Sequence, residues 1–162
     1  MIVYIFMFVA FLLDLFISNI FFHTVNNLTL LCSLFSVVTI FFVFTLIKDI
    51  KSYYKFIIIS SFIYGILFTN NIALSLILFS FVGYITYLLR NEKEDNIFIL
   101  LVQLLLVLFL YDLLFYLILV IMQYLELNIV LVLNKFLSSI IFNLLYFFIL
   151  CGVKFVVLKK GD

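Results

Sequence analysis

Long apolar runs separated by short polar breaks are the main pattern along this chain. Most runs are about 20 residues long, which is the length a helix needs to cross about 30 Å of hydrocarbon. The polar breaks are too short to hold a folded domain outside a membrane. The pattern predicts six membrane-spanning helices, over residues 2–22, 28–47, 56–69, 72–89, 97–124 and 130–158.

One apolar run, over residues 56–89, is too long for a single ordinary span. Its polar interruption is Thr69-Asn70-Asn71, and an Asn-Asn pair is typical of a turn. We therefore divide this run into the third and fourth predicted helices. With this division the chain has six spans, and the polar breaks alternate between the two sides of the membrane.

The composition restricts the fold class in the same direction. Hydrophobic residues make up 69% of the chain and charged residues 10%, against about 45–50% and about 25% in soluble domains. In lipid every backbone amide must be paired within the protein, so helices and closed barrels are the structures that span. A barrel needs alternating apolar and polar residues, and these runs are unbroken. We expect an all-α, polytopic membrane bundle that forms a single domain over residues 1–162.

The basic residues indicate the orientation of the chain. Lys and Arg are in excess in cytoplasmic loops, and with six spans nearly all of them fall on one side. That side holds Lys48, Lys51, Lys55, Arg90, Lys93, Lys154, Lys159 and Lys160. The opposite breaks, 23–27, 69–71 and 125–129, hold none. Both termini are therefore expected in the cytoplasm, with the protein in the plasma membrane.

Four polar residues inside the predicted spans are candidate functional residues: Asp14, Asp112, Lys135 and Asn143. A charge in mid-bilayer usually faces the bundle interior, a partner or water. The functional interpretation is a proton or substrate site, and the alternative is a structural polar contact. A pair of Asp112 with Lys135 would join the fifth and sixth spans near their outer halves. By residue count Asp112 lies about 10 Å deeper than Lys135, so Asn143 is the better match in depth for Asp112.

Small residues recur at helical spacing in the third and fourth spans, where they are a candidate helix-docking face. Ser61, Gly65 and Thr69 share one face of the third span, and Ser80 and Gly83 form a second patch on the fourth. Such faces let helices approach closely. They serve either packing within the bundle or the docking of another protein's single helix.

The residues that most catalytic and metal sites need are missing from the sequence. The one histidine is His23, and neither a phosphate-binding glycine loop nor a basic stripe for nucleic acid is present. Ser52-Tyr53-Tyr54-Lys55 matches the S-x-x-K of penicillin-recognising enzymes, but its partner motifs are absent. We expect no enzyme activity, no cofactor, no metal and no nucleic-acid partner.

Two stretches resemble the bacterial rod shape-determining protein MreD family. Residues 61–90 read SFIYGILFTNNIALSLILFSFVGYITYLLR, and residues 134–154 read NKFLSSIIFNLLYFFILCGVK. The residues in positions that match the family's pattern are Gly65, Asn70, Asn71, Gly83, Tyr84 and Asn143. The length of the chain, the number of spans and the near-absence of loops also fit the family.

This resemblance implies a non-enzymatic scaffold of the cell-elongation machinery that makes peptidoglycan. Proteins of the MreD family associate with the bitopic protein MreC. They help to couple cytoplasmic MreB filaments to the wall synthases RodA and a class B penicillin-binding protein. The small-residue faces would then receive the helix of an MreC-like partner, and the basic loops would touch a filament or anionic membrane lipid.

A second interpretation is the substrate-binding subunit of an energy-coupling-factor vitamin transporter, which is also a small six-helix protein. Those subunits often dock through an Ala-x-x-x-Ala face, and this chain has two alanines, Ala10 and Ala73, in different spans. The polar residues a solute site needs are spread over three predicted helices. A small membrane enzyme is a third and weaker alternative.

Overall fold

Six α-helices account for most of the chain that the structure describes. The computed structural model describes residues 2–22, 33–47, 49–69, 71–89, 96–124, 126 and 128–159. The helices are α1 (Ile2–Phe22), α2 (Phe35–Val43), α3 (Ile50–Tyr64), α4 (Ile72–Leu89), α5 (Ile97–Ile121) and α6 (Ile129–Lys159). A π-helical turn, Gly65–Thr69, continues α3.

Four of these helices are long and apolar enough to cross a membrane. They are α3 with its π turn, α4, α5 and the Val132–Phe155 part of α6. The 21-residue α1 is a further apolar helix, about 30 Å long at 1.5 Å per residue. Large apolar side chains are exposed on all five, as expected for a surface that faces lipid. The prediction of a helical membrane bundle is confirmed.

The short helix α2 lies at the centre of the bundle. Its nine residues are all buried, and it packs against α1, α4, α5 and α6. A helix that is apolar on every side is stable where it is surrounded. The second predicted span, 28–47, therefore takes a different form: the helix occupies 35–43, and residues 28–32 lie outside the described part. Nine residues extend about 14 Å, roughly half of the hydrocarbon thickness.

The helices α3 and α4 form an antiparallel pair. The Ser75 hydroxyl donates a 2.8 Å hydrogen bond to the Ser61 carbonyl across the pair, near the ends that the predicted break joins. The π turn ends at Thr69 and α4 begins at Ile72. The division of the long apolar run into two helices is confirmed, and Asn70 itself lies outside the described residues.

Two helix boundaries differ from the sequence prediction for identifiable reasons. α3 begins at Ile50 rather than near 56 because Asp49 caps it, accepting hydrogen bonds from the backbone N–H groups of Lys51 and Ser52. These bonds and the Ser52 hydroxyl lower the pKa of Asp49. α5 ends at Ile121 rather than 124 because the chain turns there and Gln123 adopts a positive φ of 60°.

Candidate functional site

Asp14 of α1 caps the N-terminus of α2, although the two belong to different helices. Its Oδ1 accepts a 3.0 Å hydrogen bond from the Phe35 N–H, and its Oδ2 accepts one of 3.0 Å from the Ser36 N–H. The side chains of Ser33 and Ser36 lie close to the carboxylate. The first N–H groups of a helix lack partners within the helix and carry its positive dipole end. A buried carboxylate supplies hydrogen-bond acceptors for these N–H groups and a negative charge for the positive dipole end.

Asn143 of α6 supplies a third acceptor at the same helix end. Its Oδ1 accepts a 3.0 Å hydrogen bond from the N–H of Leu34, the residue just before α2. The Asn143 side chain is completely buried, and its Nδ2 has no hydrogen-bond partner in the described part of the chain. Asp14 and Asn143, 129 positions apart by their numbers, therefore converge on one turn of backbone.

A second polar contact holds α2 one turn further along. The hydroxyls of Thr39 and Tyr146 lie 3.1 Å apart, and the Tyr146 ring packs on Phe35 with 4.6 Å between ring centroids. α6 thus binds α2 through an amide, a hydroxyl and an aromatic ring. The cluster of Asp14, Asn143, Thr39 and Tyr146 is called the α2 polar cluster below.

A separate ion pair joins α5 to α6. Lys135 Nζ lies 3.0 Å from Asp112 Oδ1 and 4.8 Å from the centroid of the Phe115 ring. The Asp112 side chain is completely buried, and 18% of the Lys135 side chain is exposed. Neither Asp112 oxygen receives a further hydrogen bond from the described residues, so the ammonium is the group that compensates its charge.

This pairing corrects the expectation that Asn143 matches Asp112 in depth. α5 ends earlier than predicted, so Asp112 lies about 13 Å from the end of its helix, and Lys135 lies about 9 Å from the start of α6. The flexible stem of a lysine covers that difference. Asn143 is engaged by α2 instead.

The predicted docking face is occupied by the chain's own helices. A Cβ on Gly65 would lie 2.8 Å from Ile72 Cα and would overlap Ser75 Oγ, and one on Gly83 would overlap Ile57 Cδ1. Because Ser61 is also buried, these residues pack α3 against α4 in the described part of the chain. Of the two alternatives for Ser61, Gly65 and Gly83, the structure shows packing within the bundle. Ser80 is half-buried, and the Thr69 side chain lies outside the described part.

Two further polar contacts join side chains to backbone atoms of other segments. The Tyr116 hydroxyl donates to the Glu126 carbonyl and accepts from the Asn128 N–H, which fixes the α5–α6 connection. Gln103 Nε2 donates a 2.7 Å hydrogen bond to the Leu89 carbonyl at the end of α4. Their partners are backbone atoms, so no side-chain motif could reveal them.

The described residues contain no group of three or more His, Cys, Asp or Glu side chains placed to hold a metal ion. The Ser52 hydroxyl of the S-x-x-K match donates a 2.7 Å hydrogen bond to Asp49, and so it stabilises the start of α3. His23 lies outside the described residues.

The fold and its buried polar contacts define a polytopic helical membrane protein whose intramembrane charges bind other parts of the same chain. Comparison with protein-family models, with curated proteins and with solved structures found no match.

Proposed function

We propose that this protein is a non-enzymatic membrane scaffold of the bacterial cell-elongation complex, and that it binds an MreC-like bitopic partner. RodA-type and class B penicillin-binding wall synthases and MreB filaments are the further partners implied. The resemblance of residues 61–90 and 134–154 to the MreD family supports this proposal. A second argument comes from the partners of the charged residues inside the bundle.

The observation that carries the proposal is that the charged residues within the bundle are engaged internally. Asp14 caps α2, and Asp112 pairs with Lys135. Large apolar side chains are exposed along all five long helices. A protein of this kind acts on other helices in the plane of the membrane, or through its short connections.

We further propose that the chain crosses a bacterial plasma membrane six times with both termini in the cytoplasm. The one-sided distribution of Lys and Arg supports this orientation. The second crossing would include α2. Asp14 and Asn143 would then satisfy the backbone N–H groups that a helix starting within lipid leaves unpaired.

The partner helix must bind a different surface from the one proposed for Ser61, Gly65 and Gly83, because α3 and α4 fill that surface themselves. The lipid-facing sides of the long helices remain. They carry large apolar side chains such as Phe8 on α1, Phe62 on α3 and Ile141 on α6, which are 62%, 50% and 65% exposed.

Affinity purification from the native host tests the scaffold proposal. The tagged protein is solubilised in a mild detergent, and the proteins that co-purify are identified by mass spectrometry. Recovery of a single-span MreC-like protein, with or without wall synthases, is the expected result. Recovery of neither a single-span protein nor a wall synthase would contradict the scaffold role.

A second candidate function is the substrate-binding subunit of an energy-coupling-factor transporter. The convergence of Asp14 and Asn143 at one end of α2 favours it, because a solute site needs polar groups at one depth. Asn143 Nδ2 has no hydrogen-bond partner among the described residues, so it can donate to a bound solute there. The same purification separates the two functions: a pair of ATPases with a large coupling subunit identifies the transporter.

A further inference from the structure

The start of α3 and the end of α4 lie side by side at one end of the bundle. A Cβ on Gly83 would lie 3.7 Å from Tyr53 Cε1. The Phe44 ring lies between the two helices, with centroid distances of 4.8 Å to Tyr53 and 6.5 Å to Tyr87. The first two turns of α3 and the last two turns of α4 therefore form one continuous surface.

Three tyrosine hydroxyls share this surface. Tyr84 and Tyr87 are one turn apart on α4 and are 52% and 43% exposed. Tyr54, on α3, is half-buried and lies within electrostatic range of both. In the described part of the chain these three hydroxyls have no hydrogen-bond partner. Each can therefore donate a hydrogen bond to a group outside the bundle.

Lys51 lies one turn before both Tyr54 and Lys55 on α3. Residues three and four positions apart are neighbours on a helix surface, and Lys51 and Lys55 are both exposed. Neither ammonium has a carboxylate partner among the described residues. The nearby Asp49 carboxylate is engaged by Ser52 and by backbone N–H groups, so among the described residues it compensates neither lysine charge.

We propose that this tyrosine–lysine cluster (Lys51, Tyr54, Lys55, Tyr84 and Tyr87) binds the headgroup of an anionic phospholipid. The lysines neutralise a phosphodiester, and the tyrosine hydroxyls donate hydrogen bonds to its oxygens. The exposed side chains of Ile50 and Leu88 lie beside the cluster and contact the acyl chains. This apolar border favours a phospholipid over a soluble phosphate. The proposal does not depend on the scaffold function.

Lipid competition measured by native mass spectrometry tests this site. The full chain is purified in detergent and mixed with equal amounts of phosphatidylglycerol and phosphatidylcholine. We expect the protein to retain phosphatidylglycerol selectively. Lys51→Gln and Lys55→Gln should each weaken that binding about fivefold. The triple variant Tyr54→Phe, Tyr84→Phe and Tyr87→Phe keeps the rings and should weaken it about two- to fivefold.

The matched control is Lys154→Gln, which removes one positive charge from α6, outside the cluster. We expect phosphatidylglycerol binding by this variant to stay within twofold of the unaltered chain. Equal losses in Lys154→Gln and Lys51→Gln would show a general attraction to positive charge and overturn the site. Absence of selectivity for phosphatidylglycerol in the unaltered chain would overturn it as well.

Discussion

Asp14 is a carboxylate inside a membrane bundle, and both of its oxygens bind backbone N–H groups of another helix. In lipid those N–H groups have no water to replace a lost acceptor. The residue is therefore expected to contribute more to stability than an exposed cap. Asp49, which caps α3 at a solvent-exposed end, provides the comparison.

We expect Asp14→Ala to lower the free energy of unfolding by about 2 kcal/mol or more, because two buried donors lose their acceptor. Asp14→Asn keeps one acceptor oxygen and should lose about half as much. Asp49→Ala should cost about 1 kcal/mol. Thermal unfolding in detergent, followed by circular dichroism, measures all three. An Asp14→Ala variant as stable as Asp49→Ala would show that the buried Asp14 cap stabilises the protein no more than an exposed cap does.

The ion pair between Asp112 and Lys135 gives a second prediction. Removing one partner leaves an uncompensated charge in the bundle, so Asp112→Ala and Lys135→Met should each cost about 3 kcal/mol. The double variant should recover most of that loss, because neither charge remains. A double-mutant cycle on thermal stability measures the coupling. Strictly additive losses would mean that the two groups do not interact in the folded protein.

At the scale of helices, the glycines of the α3–α4 pair differ from the one near the end of α6. A Cβ on Gly65 meets the backbone of α4, one on Gly83 meets the flexible end of Ile57, and one on Gly152 meets nothing within 4 Å. The backbone cannot move aside as easily as a terminal methyl group. The three sites therefore form a graded series for the same substitution.

We expect Gly65→Ala to lower the free energy of unfolding by about 1–3 kcal/mol, because the two helices must move apart. Gly83→Ala should cost less than Gly65→Ala. Gly152→Ala should be neutral or stabilise by up to about 1 kcal/mol, since alanine favours a helix over glycine. Thermal unfolding in detergent ranks the variants. An equal effect at Gly65 and Gly152 would contradict the close packing of α3 on α4.

At the scale of the whole molecule, the sequence predicts the long helices well and the central one poorly. Unbroken apolar runs identify α1, α4 and α5 because lipid leaves few alternatives. They do not reveal that α2 is helical over nine residues. A buried segment in a membrane bundle has the same apolar composition as a lipid-facing one, and its N-terminus is capped by residues distant in the chain.

In the candidate site, too, contacts between distant parts of the chain could not be predicted from the sequence. Asp14, Asp112, Lys135 and Asn143 were recognisable as costly in lipid, but their partners were not. Counting residues favours Asn143 over Lys135 as the match in depth for Asp112, because the early end of α5 and the reach of Lys135 cannot be seen in the sequence. The small residues of α3 and α4 carry no sign of whether their neighbour belongs to the same chain.

The central claim is that the protein acts through contacts of its lipid-facing helices with another protein. In-cell photocrosslinking tests this claim most directly. A photoreactive amino acid replaces Phe8, Phe62 or Ile141, on α1, α3 and α6, or the buried Val38 of α2 as the control. We expect at least one lipid-facing position to crosslink to a single-span protein of the host. We expect no such crosslink from Val38. Crosslinks to lipid alone at Phe8, Phe62 and Ile141 would contradict it.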